Sequence, residues 1–319
     1  MTRKKDIFNA AAYGGEGWSP RKTHLSEELG NIWGNCGIST EWSRLKAMLL
    51  HRPGDELGTS DNPNEVQMLA SIDIKKVQAQ HDAMAEAYRN TGVKVHYIEP
   101  EGEPSPNQMF AADLFFMTPE GAILARPAST VRTGEERWVA RRLAELGVPI
   151  IRSVRGTGTF EGADAMWIDP TTVILGRGLR TNDEGAAQVS STLNEMGVDV
   201  IQVDLPVGTM HLMGTLRIIS SDLAIAHPYR FAHRGAEALK ARGIRVFYLP
   251  EEKNSVSYTA ALNFVTLAPH EILMVGGNPI AQDFYENLGI TCHAVEMDEL
   301  RKAAGAIGCT SGILEREKI

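Results

Sequence analysis

The chain has 319 residues, 43% of them hydrophobic, and a formal net charge of -8 at pH 7. That length suits one large domain or two ordinary ones. The acidic balance argues against nucleic-acid binding, which needs basic patches to neutralise phosphate, and no run approaches 18 uninterrupted apolar residues, so no membrane partner is expected.

The N-terminal stretch "MTRKKDIFNAAAYGGEGW" has a basic start but lacks the apolar segment of a signal peptide. Residues 1–41 read as an irregular arm, packed on the surface or on a second subunit, so a homo-oligomer (a dimer or larger) is expected. Cys36, Cys292 and Cys309 are an odd number of cysteines at wide spacing. They suit the reduced thiols of a cytoplasmic protein better than a disulfide framework. No CxxC or HExxH pattern points to a metal site.

Residues 42–319 read as one repetitive domain. Its first unit opens at "SRLKAMLLHRPGDEL" and continues into a helix on which Ile74, Val77, His81, Met84 and Tyr88 fall at alternating steps of three and four. A glycine and a β-branched residue then start an extended run, "NTGVKVHYIE". The junction recurs as "ELGVPIIRSV", "EMGVDVIQVD", "ARGIRVFYLP" and "NLGITCHAVE". Glycine there supplies a left-handed helix cap, and the β-branched residue begins a strand. Hairpins precede most of the helices, at "DLFFMTPEGAILARP", "DAMWIDPTTVILGRG", "TLRIISSDLAIAHP" and "LNFVTLAPHEILMVGG".

The repeating unit is therefore strand, strand, helix, strand. A fixed period near fifty residues points to a closed or stacked repeat. The expected fold is α/β, a five-bladed α/β propeller of ββαβ repeats with helices outside. The segment "GCTSGILER" at the end of the chain is expected to complete the first blade. That placement carries Cys309 to the axis, and Gly305 and Gly308 read as conformational freedom for its loop.

In a small propeller the loops entering the hairpins converge on the centre. Those loops carry Asp113 in "PNQMFAADLFF", Glu161 and Asp164 in "GTFEGADAMW", His211 in "VGTMHLMGTLRI" and Cys309 in "GAIGCTSG". A thiol, an imidazole and carboxylates suit nucleophilic attack by sulfur with histidine as acid and base. A buried carboxylate suits a planar cation such as guanidinium. Read alone, Cys309 is equally a small packing residue, Asp164 a turn cap, and Arg132 and Arg180 solvated arginines at helix starts.

Six stretches in this order, "EWSRLKAMLLHRPGDEL", "FAADLFF", "FEGADAMW", "GLRTNDEGA", "MHLMGTL" and "ELRKAAGAIGCTSGILER", resemble the guanidino-group-modifying (pentein) superfamily. It includes dimethylarginine dimethylaminohydrolases, arginine deiminases and amidinotransferases, and the likeness spans residues 38–316. The resemblance implies a hydrolase of a guanidino compound that acts through a covalent S-amidino intermediate and releases ammonia or an amine. An amidinotransferase is the alternative.

The same resemblance implies Cys309 as nucleophile, His211 as general acid and base, and Glu161 beside His211 or the substrate. It implies Asp113 on the guanidinium, Arg132 and Arg180 on a substrate carboxylate, and Asp164, Met213 and Phe110 as further substrate-binding residues. No metal or organic cofactor is implied; the partner is a small guanidino molecule. Met213 stands where deiminases and amidinotransferases carry an acid, and Ala112 and Ala163 replace family residues. These departures favour a substituted guanidine or a substrate with another tail. A non-catalytic propeller binding a macromolecule would need no thiol and imidazole in equivalent loops.

Overall fold

The computed structural model of the chain describes residues 7–251, 256 and 259–319. Among the described residues the strands form five three-stranded sheets. The first holds β1 (Leu45–Leu50) and β2 (Lys94–Tyr97). The second holds β3 (Phe115–Thr118), β4 (Gly121–Leu124) and β5 (Ile150–Ser153). The third holds β6 (Ala165–Asp169), β7 (Thr172–Arg177) and β8 (Asp199–Asp204). The fourth holds β9 (Leu216–Ser220), β10 (Leu223–Ala226) and β11 (Arg245–Tyr248). The fifth holds β12 (Val265–Ala268), β13 (Glu271–Val275) and β14 (Thr291–Val295). Last in the chain, β15 (Gly312–Arg316) joins the first sheet.

Every sheet has the same wiring. The middle strand pairs antiparallel with one neighbour and parallel with the other. A parallel partner needs a crossover, and a helix supplies it. These helices are α1 (Ile74–Asn90), α2 (Glu135–Glu145), α3 (Asp183–Glu195), α4 (His233–Ala241) and α5 (Pro279–Asn287). The expected stripe on α1 is the buried one: Val77, His81, Met84 and Tyr88 have no solvent exposure.

Five glycines set the turn from helix to strand. Gly92, Gly147, Gly197, Gly243 and Gly289 hold φ between 72° and 83°. A side chain resists that left-handed region, which is why the sequence repeats glycine there. The next residue, Val93, Val148, Val198, Ile244 or Ile290, is buried in each case.

In the first sheet the antiparallel partner of β1 comes from the far end of the chain, with Met48 opposite Ile313 and Leu49 opposite Gly312. The charged tail is thus a paired strand. The arm is less separate than the boundary at 41 implies. Gly34 donates to Gly147 O, Gly37 donates to Leu314 O, and Arg316 donates back to Gly37 O. Cys36 and Ile38 are buried in the core that also holds Leu314. The arm's first six residues lie outside the described residues. No described helix is long and apolar enough to cross a membrane.

Candidate active site

Each sheet's antiparallel partner strand is entered through a tight loop. Asp113 ends a turn of 3-10 helix (Ala111–Asp113) before β3. Glu161 caps the turn Gly162–Asp164 before β6, and His211 caps Leu212–Gly214 before β9. Cys309 lies in a short helix, α6 (Ile307–Thr310), before β15. The remaining loop, before β12, carries Asn263. Equivalent loops of five sheets thus supply five chemically active side chains.

One tight cavity, of about 20 Å³, is lined by Cys309, His211, Asp113, Arg132, Arg180, Phe110 and Asn107 among others. Glu161 stands directly behind it. His211 Nε2 donates to Glu161 Oε2 at 2.7 Å, and the second Glu161 oxygen accepts from the backbone N–H of Ala128 and from Arg180. Burial works against the charge of Glu161, but the hydrogen bond with His211 and the charges of His211, Arg132 and Arg180 hold its carboxyl well below the usual range. Burial likewise works against the charge of His211. Asp113, Glu161 and Asp164 outweigh it and raise the imidazole to about 9. At neutral pH His211 is therefore an imidazolium.

Arg132 was expected to hold a substrate carboxylate. It reaches the cavity, but its guanidinium is already ringed by acids. Nη1 donates to Asp113 Oδ2 at 2.7 Å and to Glu161 Oε2 at 3.3 Å, and Nε donates to Glu135 Oε2 at 2.9 Å. The helix start that made it look solvated is folded inward, because Glu135 at the first turn of α2 is itself buried. Ligand atoms of Asp113, Glu161 and His211 all lie within 4.8 Å of one another, a spacing that could hold a cation. Arg132 Nη1 supplies the positive charge that both carboxylates face.

Asp113 keeps one oxygen in reserve. Its Oδ1 is buried, lies 3.8 Å from His211 Nε2, and has no hydrogen-bond partner among the described residues. Asp164 differs: it is fully buried and absent from the cavity wall. Its oxygens accept from the Leu212 N–H at 3.0 Å and from Thr181 Oγ1 at 2.6 Å. Burial pushes its carboxyl up to about 6, against the pull of His211 and those two hydrogen bonds. It holds the loop that presents His211 from behind the cavity wall. Met213 also lies outside the tight cavity, lining a wider one of about 750 Å³ that also holds Asn263 and shares Met210, His211, Gly305 and Cys309 with the first.

Cys309 is gripped by Asn263, whose Nδ2 donates to Sγ at 3.0 Å. Burial pushes the thiol up, and the charge of Asp113 adds to that; the Asn263 hydrogen bond and Arg217 pull the other way. Cys36 and Cys292 are both raised to about 11, chiefly by burial. Gly305 and Gly308 are glycine for want of space, not for conformational freedom. Neither has a positive φ. A Cβ on Gly305 would lie 2.2 Å from Phe110 Cε1, and one on Gly308 would lie 2.2 Å from Arg217 Nη2.

A family model described as "N,N dimethylarginine dimethylhydrolase, eukaryotic" matches residues 59–297. The chain belongs to that dimethylarginine dimethylhydrolase family. A relative named N(G),N(G)-dimethylarginine dimethylaminohydrolase, from Streptomyces coelicolor, is 25% identical over 272 residues, covering 83% of this chain and 96% of the relative. Among solved structures, a dimethylarginine dimethylaminohydrolase from Pseudomonas aeruginosa, a cysteine-to-serine mutant complexed with citrulline, superposes with a TM-score of 0.71 at 23% identity. It covers 85% of this chain and 99% of that one. The amidinotransferase SxtG from Microseira wollei superposes with a TM-score of 0.73 at 14% identity, over 89% of this chain and 98% of that one. This family member therefore shares its α/β fold with pentein structures.

Proposed function

We propose that the chain is a cysteine-dependent hydrolase of a guanidino compound. It works through a covalent S-amidino intermediate, in a closed five-bladed propeller formed by residues 42–319, with residues 1–41 as its arm. The observation that carries the reading is the unpaired Asp113 Oδ1, buried in the same cavity wall as Cys309 and His211. A buried carboxylate oxygen without a donor is costly, and a guanidinium N–H relieves it.

The raised thiol of Cys309 fits a cationic substrate. A guanidinium beside the sulfur favours the thiolate, and the thiol proton leaves to solvent. Sγ then attacks the central carbon. As the C–N bond to the leaving nitrogen breaks, the imidazolium of His211 gives that nitrogen its proton. Neutral His211 next takes a proton from water. The water oxygen bonds to the same carbon, the C–S bond breaks with its electrons returning to sulfur, and a ureido product leaves. Glu161 holds the imidazole and balances its charge. Arg180, whose one ion pair among the described residues is with Glu161, is the better placed of the two arginines for a tail carboxylate.

The test is intact-mass measurement after exposure to a chloroamidine electrophile. A single adduct at Cys309, suppressed at low pH and in H211A, is expected. No adduct under conditions that label an exposed thiol overturns the reading. An ammonia- and amine-release screen over arginine, methylated arginines, agmatine, guanidinoacetate and simple guanidines then identifies the substrate.

The wider cavity beside Cys309 supports a second reading. Its volume, about 750 Å³, gives room for an amine to take the place of water, which is amidino transfer. Addition of amines to the same assay separates the two, because transfer yields a new guanidine and hydrolysis a urea.

A further inference from the structure

Arg217 takes no part in that scheme, yet it lies directly behind the nucleophile. It extends from β9, and its Nε donates to Leu262 O at 2.7 Å, beside Asn263. Its guanidinium carbon stands 5.6 Å from the centroid of the Phe264 ring. The turn carrying Cys309 is laid on this guanidinium so closely that a Cβ on Gly308 would meet Nη2 at 2.2 Å. Nη2 is buried and has no hydrogen-bond partner among the described residues. Arg132 and Arg180 are ion-paired to acids, whereas no ion pair within 4 Å is found for Arg217 among the described residues.

We propose that Arg217 is a positioning residue for the Cys309 sulfur: its guanidinium supports the turn at Gly308 and supplies the positive charge that balances a thiolate there. The proposal rests on the reading of Cys309 as nucleophile. The charged and titratable groups around the pair are Glu41, Tyr88, Tyr285 and Arg316 on the Arg217 side, and Asp113, His211, Arg132 and Arg180 across the cavity, the two arginines ion-paired to acids. Asp113 opposes a thiolate, and burial pushes the Glu41 carboxyl up, which reduces its power to neutralise Arg217. Asn263 orients the sulfur by hydrogen bonding but brings no charge. Arg217 is then the fixed cation on the protein side of the sulfur, present before any substrate arrives.

The experiment follows carboxamidomethylation of Cys309 by iodoacetamide against pH, read by peptide mass, in the wild-type chain, R217K and R217M. Folding is checked by circular dichroism. In R217M the labelling midpoint is expected to rise by about one unit or more, the usual effect of losing a nearby opposite charge. In R217K, which keeps the charge, it stays close to wild type. With a substrate from the release screen, kcat falls in R217M while KM holds. A folded R217M with the wild-type midpoint overturns the proposal, as does a midpoint in R217K shifted as far as in R217M. If R217M does not fold, R217Q takes its place in the same comparison. No substrate is needed for the midpoint. Labelling with an unshifted midpoint therefore removes the role of Arg217 alone, whereas no labelling at any pH removes the nucleophile reading and the proposal with it.

Discussion

Asn263 holds Cys309 from two sides: its Nδ2 donates to Sγ at 3.0 Å, and its Oδ1 accepts from the Cys309 backbone N–H at 3.2 Å. The second bond fixes the amide orientation, because a backbone N–H only donates. The first then stabilises a thiolate more than a thiol, since hydrogen bonds to charged groups are the stronger kind. Replacement N263A removes both. A bond to a charged group contributes about 1.5–3 kcal/mol, so kcat should fall roughly ten- to a hundredfold, with thermal stability changed much less. N263D keeps an acceptor for the backbone N–H but sets a negative charge against the sulfur. Its Cys309 labelling midpoint should exceed that of N263A in the iodoacetamide titration.

Asp164 acts on the site through His211. Its oxygens anchor the Leu212 N–H and the Thr181 hydroxyl, one residue from the imidazole and one from Arg180. D164A leaves two buried donors without acceptors, at about 1–3 kcal/mol for an unsatisfied group. Urea unfolding should show that loss, and kcat should drop with a smaller change in KM. D164N keeps an acceptor oxygen for the Leu212 N–H and should lose less on both measures. Equal losses in D164A and D164N would show that the charge matters, not the hydrogen bonding.

The repeat was legible in the sequence because its backbone conformation demands a particular residue. A left-handed helix cap selects glycine, and the five junctions announce themselves in one-letter code. The reactive loops were legible from position within that repeat, which placed Asp113, Glu161, His211 and Cys309 together. Asn263 was missed although the same rule pointed to it: the loop before "FVTLAPHEILMVGG" is the equivalent of the other four, and an amide draws less notice than an acid or a thiol. The contact of Arg217 and the burial of Glu135 were beyond reach. Arg217 lies in β9 and Gly308 in α6, far apart in the chain, and nothing in either local sequence encodes the contact. The inward turn of Arg132 depends on Asp113 and Glu161, which only the assembled fold brings to it, and on the burial of its near neighbour Glu135.

That ion cluster makes a sharp stability prediction. Arg132 neutralises Asp113, Glu135 and Glu161, all buried. R132M leaves buried carboxylates facing one another, and breaking such a network by removing one partner costs about 3–5 kcal/mol. Urea denaturation at neutral pH should show a loss of that size. Adding E135Q in the R132M background removes one of the stranded charges and should recover part of it. If E135Q deepens the loss instead, Glu135 contributes hydrogen bonding to Ser105 and not charge to the cluster.

The imidazole of His211 sets the pH dependence of folding in this region. Its pKa is raised to about 9 in the folded chain, above the value of about 6.5 expected for an unfolded histidine. A group with a raised folded pKa binds its proton more tightly in the native state. Its contribution to stability is therefore complete below about pH 6.5 and is lost as pH climbs through 9, on the order of 3 kcal/mol. Unfolding free energy by urea should decline across that window in the wild-type chain and stay flatter in H211Q. On the proposed mechanism, in which the imidazolium gives its proton to the leaving nitrogen, activity should fall over the same alkaline range. Loss of activity above pH 9 with no matching decline in stability would separate the two and assign the alkaline limb to a group other than His211.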